Sequence, residues 1–421
     1  MSDPTSEQNR TSRARAQAAD IGEIFPALMN DVLMENGEAD SELFHAVGLR
    51  YLTRMFAQAA LRGEIDDPAY PTLVPAASRW MSWGFANPDG GYSYASISGE
   101  YTYRFFGRRG TARIFDIETW AGDWANISTL HHCSGARHVQ LDRAGPIAGG
   151  GDFEVAPDGS FEVILSAEPQ PGNWVRIDEG VGTLILREYF YDWEQETRAE
   201  YYLERVGATY PPPPGTPDTL HAGLARIPEF MNANVPMLAK GLANQHYTLA
   251  PNTMRIQPQH SGEEERGQDD QLALRDIYFL QGRYECGPDQ AVILEVADIG
   301  TDYWIYYLSS HNWEGGDFHS RQTSLNGHQA VLDPDGVFRA VISQRDPGVP
   351  NWLDPGGAPS GLILGRYFMP RRDIDTPRLR VVPFGSVRDE LPATTGTVAP
   401  AERSESLRRR MHSVRRRHCD L

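Results

Sequence analysis

The sequence predicts a mainly β protein with helical additions, built from two tandem β-sandwich or jelly-roll domains. The first observation is a long repeat: residues 155–190 and 332–368 both carry Pro-Asp-Gly, an alternating strand, Pro-Gly, Asn-Trp and an arginine before Tyr-Phe. The second is a period-two alternation of apolar and polar residues in short runs separated by glycine, which is typical of sandwich strands. Because a repeat of this length marks a duplicated structural unit, we expect two related domains.

The segment before the first β-domain is predicted to be helical. Residues 1–19 are polar and are expected to be disordered, whereas residues 20–79 contain apolar side chains at the three-four spacing of two amphipathic helices. The apolar faces of these helices must be buried against the following sheet or against a second subunit. A homodimer through the N-terminal helices is therefore one expectation.

The first β-sandwich is expected over residues 80–192 and the second over residues 273–388, where the period-two pattern runs. In each, Pro-Asp-Gly fits a turn, since glycine adopts the positive φ that other residues resist. Between them, residues 193–272 are predicted to form a helical connector and an acidic loop.

Two helices are expected in that connector, at 193–207 and 216–244, separated by the stiff Pro-Pro-Pro-Pro-Gly break. Residues 389–421 have the composition of a disordered basic tail. The part from residue 401 onward holds seven arginines against three acidic residues, which is typical of a solvated chain end, with nucleic-acid or membrane binding as the alternative.

Composition and charge limit the functional classes. The chain has 421 residues and a formal net charge of −18, so a nucleic-acid-binding body is not expected, because phosphate recognition needs a basic surface. There is neither a signal-peptide pattern nor an apolar run long enough for a bilayer, so we expect a cytoplasmic protein without a membrane partner. Three scattered cysteines make neither a disulfide framework nor a metal-binding spacing.

Residues 324–368, which include the string DPGVPNWLD, resemble a bacterial domain-of-unknown-function family, the one numbered twelve-fourteen. A looser similarity covers NPDGGYSYASISGEYTYRFFGRRG at residues 87–110, so the resemblance touches most of residues 80–380. It implies paired β-sandwich or jelly-roll folds. It implies no settled reaction and therefore no catalytic residues.

The first candidate site is the Asn-Trp pair that recurs with an arginine in each copy of the repeat. An indole and an amide facing an arginine across a hairpin suit a planar or carboxylated ligand. The alternative is that these side chains hold each sandwich together, and recurrence in both copies favours this scaffold role. The six residues are Asn173, Trp174 and Arg187, and Asn351, Trp352 and Arg366.

The second candidate site is present in only one copy. Arg345-Asp346 follows a strand and precedes a Pro-Gly turn, a position at the rim of a sandwich. Asp346 suits a general base, with Arg345 binding a carboxylate or a developing oxyanion. The alternative is a structural ion pair that fixes the turn.

Histidines supply a third set. His319 is the preferred proton carrier, and His311 is expected to contribute to the substrate-binding surface. No histidine spacing matches a recognised metal motif, so no metal is predicted. A metal near His131 and His138, or near His311 and His319, stays open.

These observations favour a cofactor-independent catabolic enzyme of the lyase or isomerase type, with hydrolysis left open. The abundance of aromatic residues suits a bulky aromatic, terpenoid or steroid-like small molecule, and no cofactor-binding motif is present. Asp346 or His319 would remove a proton, and Arg345 would stabilise the negative charge that develops. The alternative is a non-catalytic module that binds carbohydrate or lipid.

Overall fold

The structure is a computed structural model, and it describes residues 4–33, 42–76, 78, 80–81, 87–133, 139–140, 153–238, 248–256, 277–297, 301, 303–368 and 374–418. The described strands form four sheets, which we call sheets I to IV. The predicted acidic loop, residues 257–271, lies outside the described residues.

Sheets I and II form the first sandwich. In spatial order, sheet I contains β1 (Val74–Pro75), β2 (Gly90–Ser98), β9 (Val181–Tyr189), β4 (Ile114–Ala121) and β5 (His131–His132), with β6 (Val139–Gln140) paired to β4. Sheet II contains β10 (Glu200–Arg205), β3 (Tyr103–Arg108), β7 (Ser160–Ser166) and β8 (Trp174–Arg176).

Sheets III and IV form the second sandwich with the same strand order. Sheet III contains β11 (Thr253–Ile256), β12 (Ile277–Glu285), β18 (Ser360–Phe368), β14 (Tyr303–Ser309) and β15 (Ser324–Asn326). Sheet IV, taken from the edge that corresponds to β10 of sheet II, contains β19 (Arg378–Pro383), β13 (Gln290–Ala297), β16 (Val337–Ile342) and β17 (Trp352–Leu353). The pairs β7–β8 and β16–β17 are parallel in both copies. The predicted fold class, mainly β with tandem sandwiches and helical additions, is confirmed.

Sheets I and III are buried on both faces. In β9, Leu184 and Leu186 point inward to the sandwich core, whereas Ile185 and Arg187 point outward because strand residues alternate. Every residue of β4 is buried for the same reason. The outer faces of these two sheets contact each other and are covered by helices.

Those helices are α1 (Pro4–Leu33), α2 (Glu42–Glu64) and α3 (Pro217–Pro236). Their apolar side chains join the outer faces of sheets I and III in one core. Of the two expected ways to bury the N-terminal helices, packing against a sheet is therefore the one observed. The expectation that residues 1–19 are disordered is wrong for residues 4–19, because α1 starts at Pro4 and is held by α3. Arg13 pairs with Asp218 at 2.7 Å, and Gln17 donates to a carbonyl of α3 at 2.7 Å.

The helix expected at 193–207 is also wrong, since β10 occupies its second half. β10 pairs along its whole length with β3, and Tyr201 and Leu203 pack against the core of the first sandwich. A tertiary contact therefore overrides local helix propensity. The helix expected at 216–244 is observed as α3, and residues 239–247 lie outside the described part.

The prediction of a disordered tail at residues 389–421 is wrong for residues 389–418, and for a different reason. Beyond β19 the chain forms α4 (Val387–Glu390) and α5 (Pro400–His418), and short 3₁₀ turns occur at Phe384–Ser386 and Ile127–Thr129. Arg403, Arg410 and Arg417 are seven residues apart and therefore share one face of α5. Arg403 and Arg417 are buried, and all three bond to the body of the protein, so the charge that suggested a solvated tail is anchored instead.

Helices α2 and α3 cross where Gly63 meets Gly223. A Cβ built on Gly63 would lie 2.5 Å from the carbonyl oxygen of Gly223, and a Cβ on Gly223 would approach the carbonyl oxygen of Gly63 more closely still. Backbone atoms cannot rotate away, so only glycine permits this crossing.

We expect Gly223→Ala to lower the free energy of unfolding by about 1 to 3 kcal/mol, the usual range for overpacking. Gly22→Ala is the matched control, because a Cβ on Gly22 in α1 meets nothing within 4 Å. Its effect should be neutral or stabilising by up to about 1 kcal/mol, since alanine is the better helix former. Urea unfolding of the two variants checks this. Equal stability of Gly223→Ala and Gly22→Ala would contradict the close approach of the two helices at Gly63 and Gly223.

Candidate functional site between the two sandwiches

The outer faces of sheets I and III and the inner face of α2 enclose a buried polar surface, which we call the seam. Three groups of residues form it. They are an ion cluster (Asp116, Glu118, Arg187), a phenol cluster (Tyr92, Tyr189, Tyr303, Tyr307, Arg366), and the α2 face (Tyr51, Gln58, Arg62).

The ion cluster lies on the outer face of sheet I. Strand pairing sets Arg187 opposite Asp116, with Glu118 one outward position further along β4. The Arg187 Nη1 atom lies 2.6 Å from Glu118 Oε2 and 3.2 Å from Asp116 Oδ2, and all three residues are buried. Burial by itself lowers the pKa of Arg187, but the two carboxylates raise it well above its usual value. One guanidinium thus holds two buried carboxylates.

The phenol cluster crosses from one sandwich to the other. Arg366 on β18 donates from Nη1 to the hydroxyl of Tyr92 on β2 at 3.3 Å. The rings of Tyr189 and Tyr303 stack with centroids 5.4 Å apart and an interplanar angle of 24°. These contacts hold the first sandwich against the second.

Three phenols of this cluster, Tyr189, Tyr303 and Tyr307, keep their protons. Burial raises the pKa of Tyr307 to about 12, although nearby Arg366 lowers it. Burial also raises the pKa values of Tyr189 and Tyr303 well above the ordinary value. At neutral pH these hydroxyls are therefore hydrogen-bond donors.

Helix α2 lies across the junction of the two sandwiches. Near its middle, Arg50 pairs with Glu314 of the second sandwich at 3.3 Å, and Arg54 pairs with the same carboxylate. At its end, Arg62 donates to Thr183 of the first sandwich at 3.4 Å. Gln58 is one turn before Arg62 on the same buried face, so it lies above the seam.

Two equivalent loops place an indole beside this surface. By the pairing of β4 with β9 and of β14 with β18, Trp124 and Trp313 occupy the same position after their strands. Both are buried in the core that the helices share with sheets I and III. The guanidinium of Arg62 lies 4.4 Å from the Trp124 ring centroid. Trp313 has a φ of 57°, a left-handed conformation that costs about 1 to 3 kcal/mol for a non-glycine residue and is often found at functional sites.

Several polar atoms of the seam have no hydrogen-bond partner among the described residues. They are the hydroxyls of Tyr51 and Tyr189, both amide atoms of Gln58, the indole nitrogen of Trp124 and the amide oxygen of Gln281. Gln58 is fully buried and Gln281 is 3% exposed. Each such group costs roughly 1 to 3 kcal/mol unless a partner such as water bonds it, so these atoms are the candidates for contact with a bound molecule.

Asp89 lies at the end of the phenol cluster where the two sandwiches and α5 meet. Its Oδ1 accepts hydrogen bonds from Trp193 Nε1 at 2.7 Å and from Asn326 Nδ2 at 3.0 Å. Arg417 of α5 donates to its backbone carbonyl at 3.2 Å. Burial raises the pKa of Asp89 to about 7, although Arg417 and the hydrogen bonds from Trp193, Tyr303 and Asn326 lower it. This carboxyl therefore changes charge near neutral pH.

The Asn-Trp pairs have the scaffold role in both copies. Each asparagine bonds backbone carbonyls on both sides of it, and each indole nitrogen donates to a serine of the neighbouring strand. The acceptors are the carbonyls of Glu154 and Glu162 for Asn173, those of Val331 and Arg339 for Asn351, Ser166 Oγ for Trp174 and the Ser343 carbonyl for Trp352. The two repeats are thus equivalent structural units.

The arginines expected to face these pairs lie elsewhere. Arg187 and Arg366 are on the outer faces of sheets I and III, whereas Trp174 and Trp352 are on strands of sheets II and IV. A sandwich core separates each arginine from its Asn-Trp pair, so the predicted cradle does not form. The structure instead brings the two arginines to the same seam, connected through Tyr92.

Arg345 and Asp346 bind different partners. Asp346 pairs with Arg403 of α5 at 3.0 Å and accepts a hydrogen bond from a backbone N–H of the following turn at 2.9 Å. Arg345 pairs with the exposed Asp289 at 3.2 Å and stacks over Phe384. The predicted base and oxyanion site is therefore not assembled, and Asp346 has a structural role.

We expect Asp346→Asn to lower the free energy of unfolding by about 1 to 2 kcal/mol, because Arg403 is buried and loses its carboxylate. Asp289→Asn is the control, since the Asp289 side chain is 91% exposed and should contribute nothing measurable. Chemical denaturation of both variants checks the difference. Unchanged stability of Asp346→Asn would argue against the ion pair.

The sequence leaves open a metal near His131 and His138, or near His311 and His319, and only part of this possibility lies within the described residues. His311 packs beside Phe44, with ring centroids 5.5 Å apart, and lies 3.4 Å from Ser360 Oγ. His319 is partly exposed, and His138 lies outside the described residues. Within the described ranges, no group of three or more His, Cys, Asp or Glu side chains is placed to hold a metal.

Comparisons with known proteins identify structural likeness without a function. No protein-family model matches the chain, and no curated protein matches it. The resemblance to the family numbered twelve-fourteen thus stays a prediction. None of the described helices has the length and apolar character to span a membrane.

Among solved structures, an uncharacterized protein from Burkholderia cenocepacia is 26% identical with a TM-score of 0.75, over 90% of this chain and 100% of that one. The VPA0106 protein from Vibrio parahaemolyticus is 11% identical with a TM-score of 0.44, over 79% of this chain and 97% of that one. The first likeness shows that the present chain has an architecture also found in a crystal structure.

Proposed function

We propose that this protein is an enzyme that binds a bulky aromatic or apolar small molecule in the seam and acts on it by proton transfer, in a lyase or isomerase reaction. The observation that supports this most is the set of buried polar atoms without partners among the described residues, on the faces that meet at the seam. Aromatic walls with a few converging polar groups are typical of small-molecule sites.

The chemistry follows from the groups that surround this surface. In an isomerisation next to a carbonyl, a base takes a proton from carbon, the electrons move to the carbonyl oxygen, and the proton returns at another carbon. Arg366 and the neutral hydroxyl of Tyr189 are suited to stabilise the enolate oxygen. Asp89, with its pKa of about 7, is suited to carry the proton.

A non-catalytic binding protein is the second candidate. The observation that favours it is the ion cluster, where both carboxylates are already held by Arg187. A cluster satisfied within the protein can hold the seam in shape without taking part in a reaction.

A thermal-shift screen of aromatic and terpenoid metabolites, followed by mass spectrometry of each hit, tests both candidates. Gln58→Leu and Arg366→Met alter the seam, and Arg345→Met is the matched surface control. We expect hits whose stabilisation is lost in the seam variants and kept in the control. A hit converted to product favours the enzyme, and a hit recovered intact after many hours favours binding. Hits that are indifferent to both seam variants would overturn the proposal.

A further inference from the structure

We infer that two copies of this chain associate through the outer face of sheet II, the face of the first sandwich that points away from the seam. The core of the first sandwich and sheet I lie between this face and the seam, so the inference is independent of the proposed function. The duplicated fold, the side chains of the face and its charge each support it.

Sheet IV, the equivalent of sheet II in the second copy, has its outer face covered by the chain itself. Beyond β19 the chain forms α4, and Val387 and Leu391 pack against Ile293 of β13 and Val341 of β16. Val382 of β19 belongs to the same cluster and is only 6% exposed. This architecture therefore buries the face where a segment of chain is at hand to cover it.

The first copy exposes the equivalent face. Beyond β10 the chain runs instead to α3, which packs on the outer faces of sheets I and III. Val206 is the equivalent of Val382, because β10 pairs with β3 as β19 pairs with β13, and it is 53% exposed. Tyr202, on the same side of β10, is 52% exposed. This face is therefore open to an occupant from outside the chain.

The side chains of the face are of the types that protein interfaces favour. The rings of Phe106 and Tyr202 lie with centroids 5.6 Å apart, and the guanidinium of Arg104 lies 3.8 Å from the Phe106 centroid. Trp174 of β8 is next to Ile164 of β7 on the same side of the sheet, half-buried. Aromatic residues and arginine are enriched in interfaces over the rest of a protein surface.

The charge of the face favours a second copy as the occupant. The whole chain carries a net charge of −18, so two copies repel each other unless charge is balanced where they meet. A face that meets itself across a two-fold axis has to be self-complementary, and an equal number of both signs fulfils this condition. The charged side chains that point outward from the strands of sheet II are Arg104, Arg108 and Arg176, and Glu162, Glu200 and Glu204.

This dimer differs from the one expected through the N-terminal helices. The apolar sides of α1 and α2 are already buried against α3 and the sheets of the same chain. An interface on sheet II leaves those helices in place and adds a second layer to a sheet that has a core on one side only.

Light scattering after size-exclusion chromatography tests the inference on the full chain at up to about 100 μM, where weak homodimers also form. We expect a particle of twice the 47.0 kDa mass of one chain. Val206→Glu and Tyr202→Glu should each weaken the dimer by about tenfold or more, because like charges then meet across the two-fold axis. Val331→Glu is the matched control, since Val331 of the second sandwich is 51% exposed, and it should keep the dimer.

Both substitutions on sheet II replace exposed side chains, and melting curves like that of the parent confirm that the variants fold. A monomer at every concentration overturns the inference. A dimer that Val206→Glu and Tyr202→Glu both retain also overturns it, and loss of that dimer in Leu220→Glu, on the exposed side of α3, would assign the interface to the helices. The proposed function is unaffected by either outcome, because its test uses the seam variants.

Discussion

Replacing Arg187 by methionine is expected to lower the free energy of unfolding by roughly 3 to 5 kcal/mol at pH 8, the range for breaking a buried ion pair. The substitution leaves Asp116 and Glu118, which are 0% and 1% exposed, without their shared cation. Two like charges in a desolvated site cannot both stay ionised cheaply, so one carboxyl should take up a proton.

The sign of the pH dependence follows from that proton. In the variant the folded-state pKa of one carboxyl rises above its unfolded value, so stability is greatest in acid and falls as pH rises through the folded pKa. The deficit against the parent protein should therefore be larger at pH 8 than at pH 5. Urea denaturation at several pH values measures it.

A triple variant, Arg187→Met with Asp116→Asn and Glu118→Gln, is the control for this prediction. It removes all three charges, so it should regain much of the stability that the single variant loses. It should also lack most of the pH dependence that the single variant shows. A loss that is the same at every pH in the single variant would show that packing, not charge, is responsible.

The second large effect is expected from Asp89, whose raised pKa makes stability depend on pH. In the unfolded chain this carboxyl releases its proton near 3.8, and in the folded protein near 7. Its contribution is fully present below about pH 4 and is lost as pH rises to 7, which amounts to roughly 4 kcal/mol for a shift of this size.

Asp89→Asn should therefore be more stable than the parent at pH 8, by a margin that shrinks at pH 5 and disappears only near pH 4. The amide oxygen still accepts the hydrogen bonds from Trp193 and Asn326. Calorimetric melting across this range checks the prediction, with the exposed Asp289→Asn as control. Parallel profiles for Asp89→Asn and its parent would refute it.

The two sandwiches could be predicted from the sequence because the patterns that indicate their strands are local. Period-two alternation and the Pro-Asp-Gly turns identify strands without tertiary information. The strand β10 (Glu200–Arg205) was missed because its charged composition suits a helix and its pairing to β3 is a tertiary contact. The number of arginines in α5 suggested a solvated tail. The seven-residue spacing of Arg403, Arg410 and Arg417, which places them on one helix face, is the signal in the sequence that predicts a buried face.

The candidate site was only partly accessible for a similar reason. Arg187 and Arg366 were identified through the repeat, but strand alternation turns them away from the Asn-Trp pairs. Tyr92 and Arg366 are 274 residues apart, so nothing local indicates their contact. Aligning the loops after β4 and β14 across the two copies would have paired Trp124 with Trp313.

The position of α5 affects the order in which parts of the protein fold during synthesis. Domains fold largely in the order in which the ribosome makes them, so the first sandwich can form while the second is still being translated. Arg417, however, bonds carbonyls at Pro88 and Asp89, more than three hundred residues upstream. Both sandwiches and the direct contacts between them can therefore form before α5 is made, and the hydrogen bonds of Arg417 are added only after translation has passed the final helix.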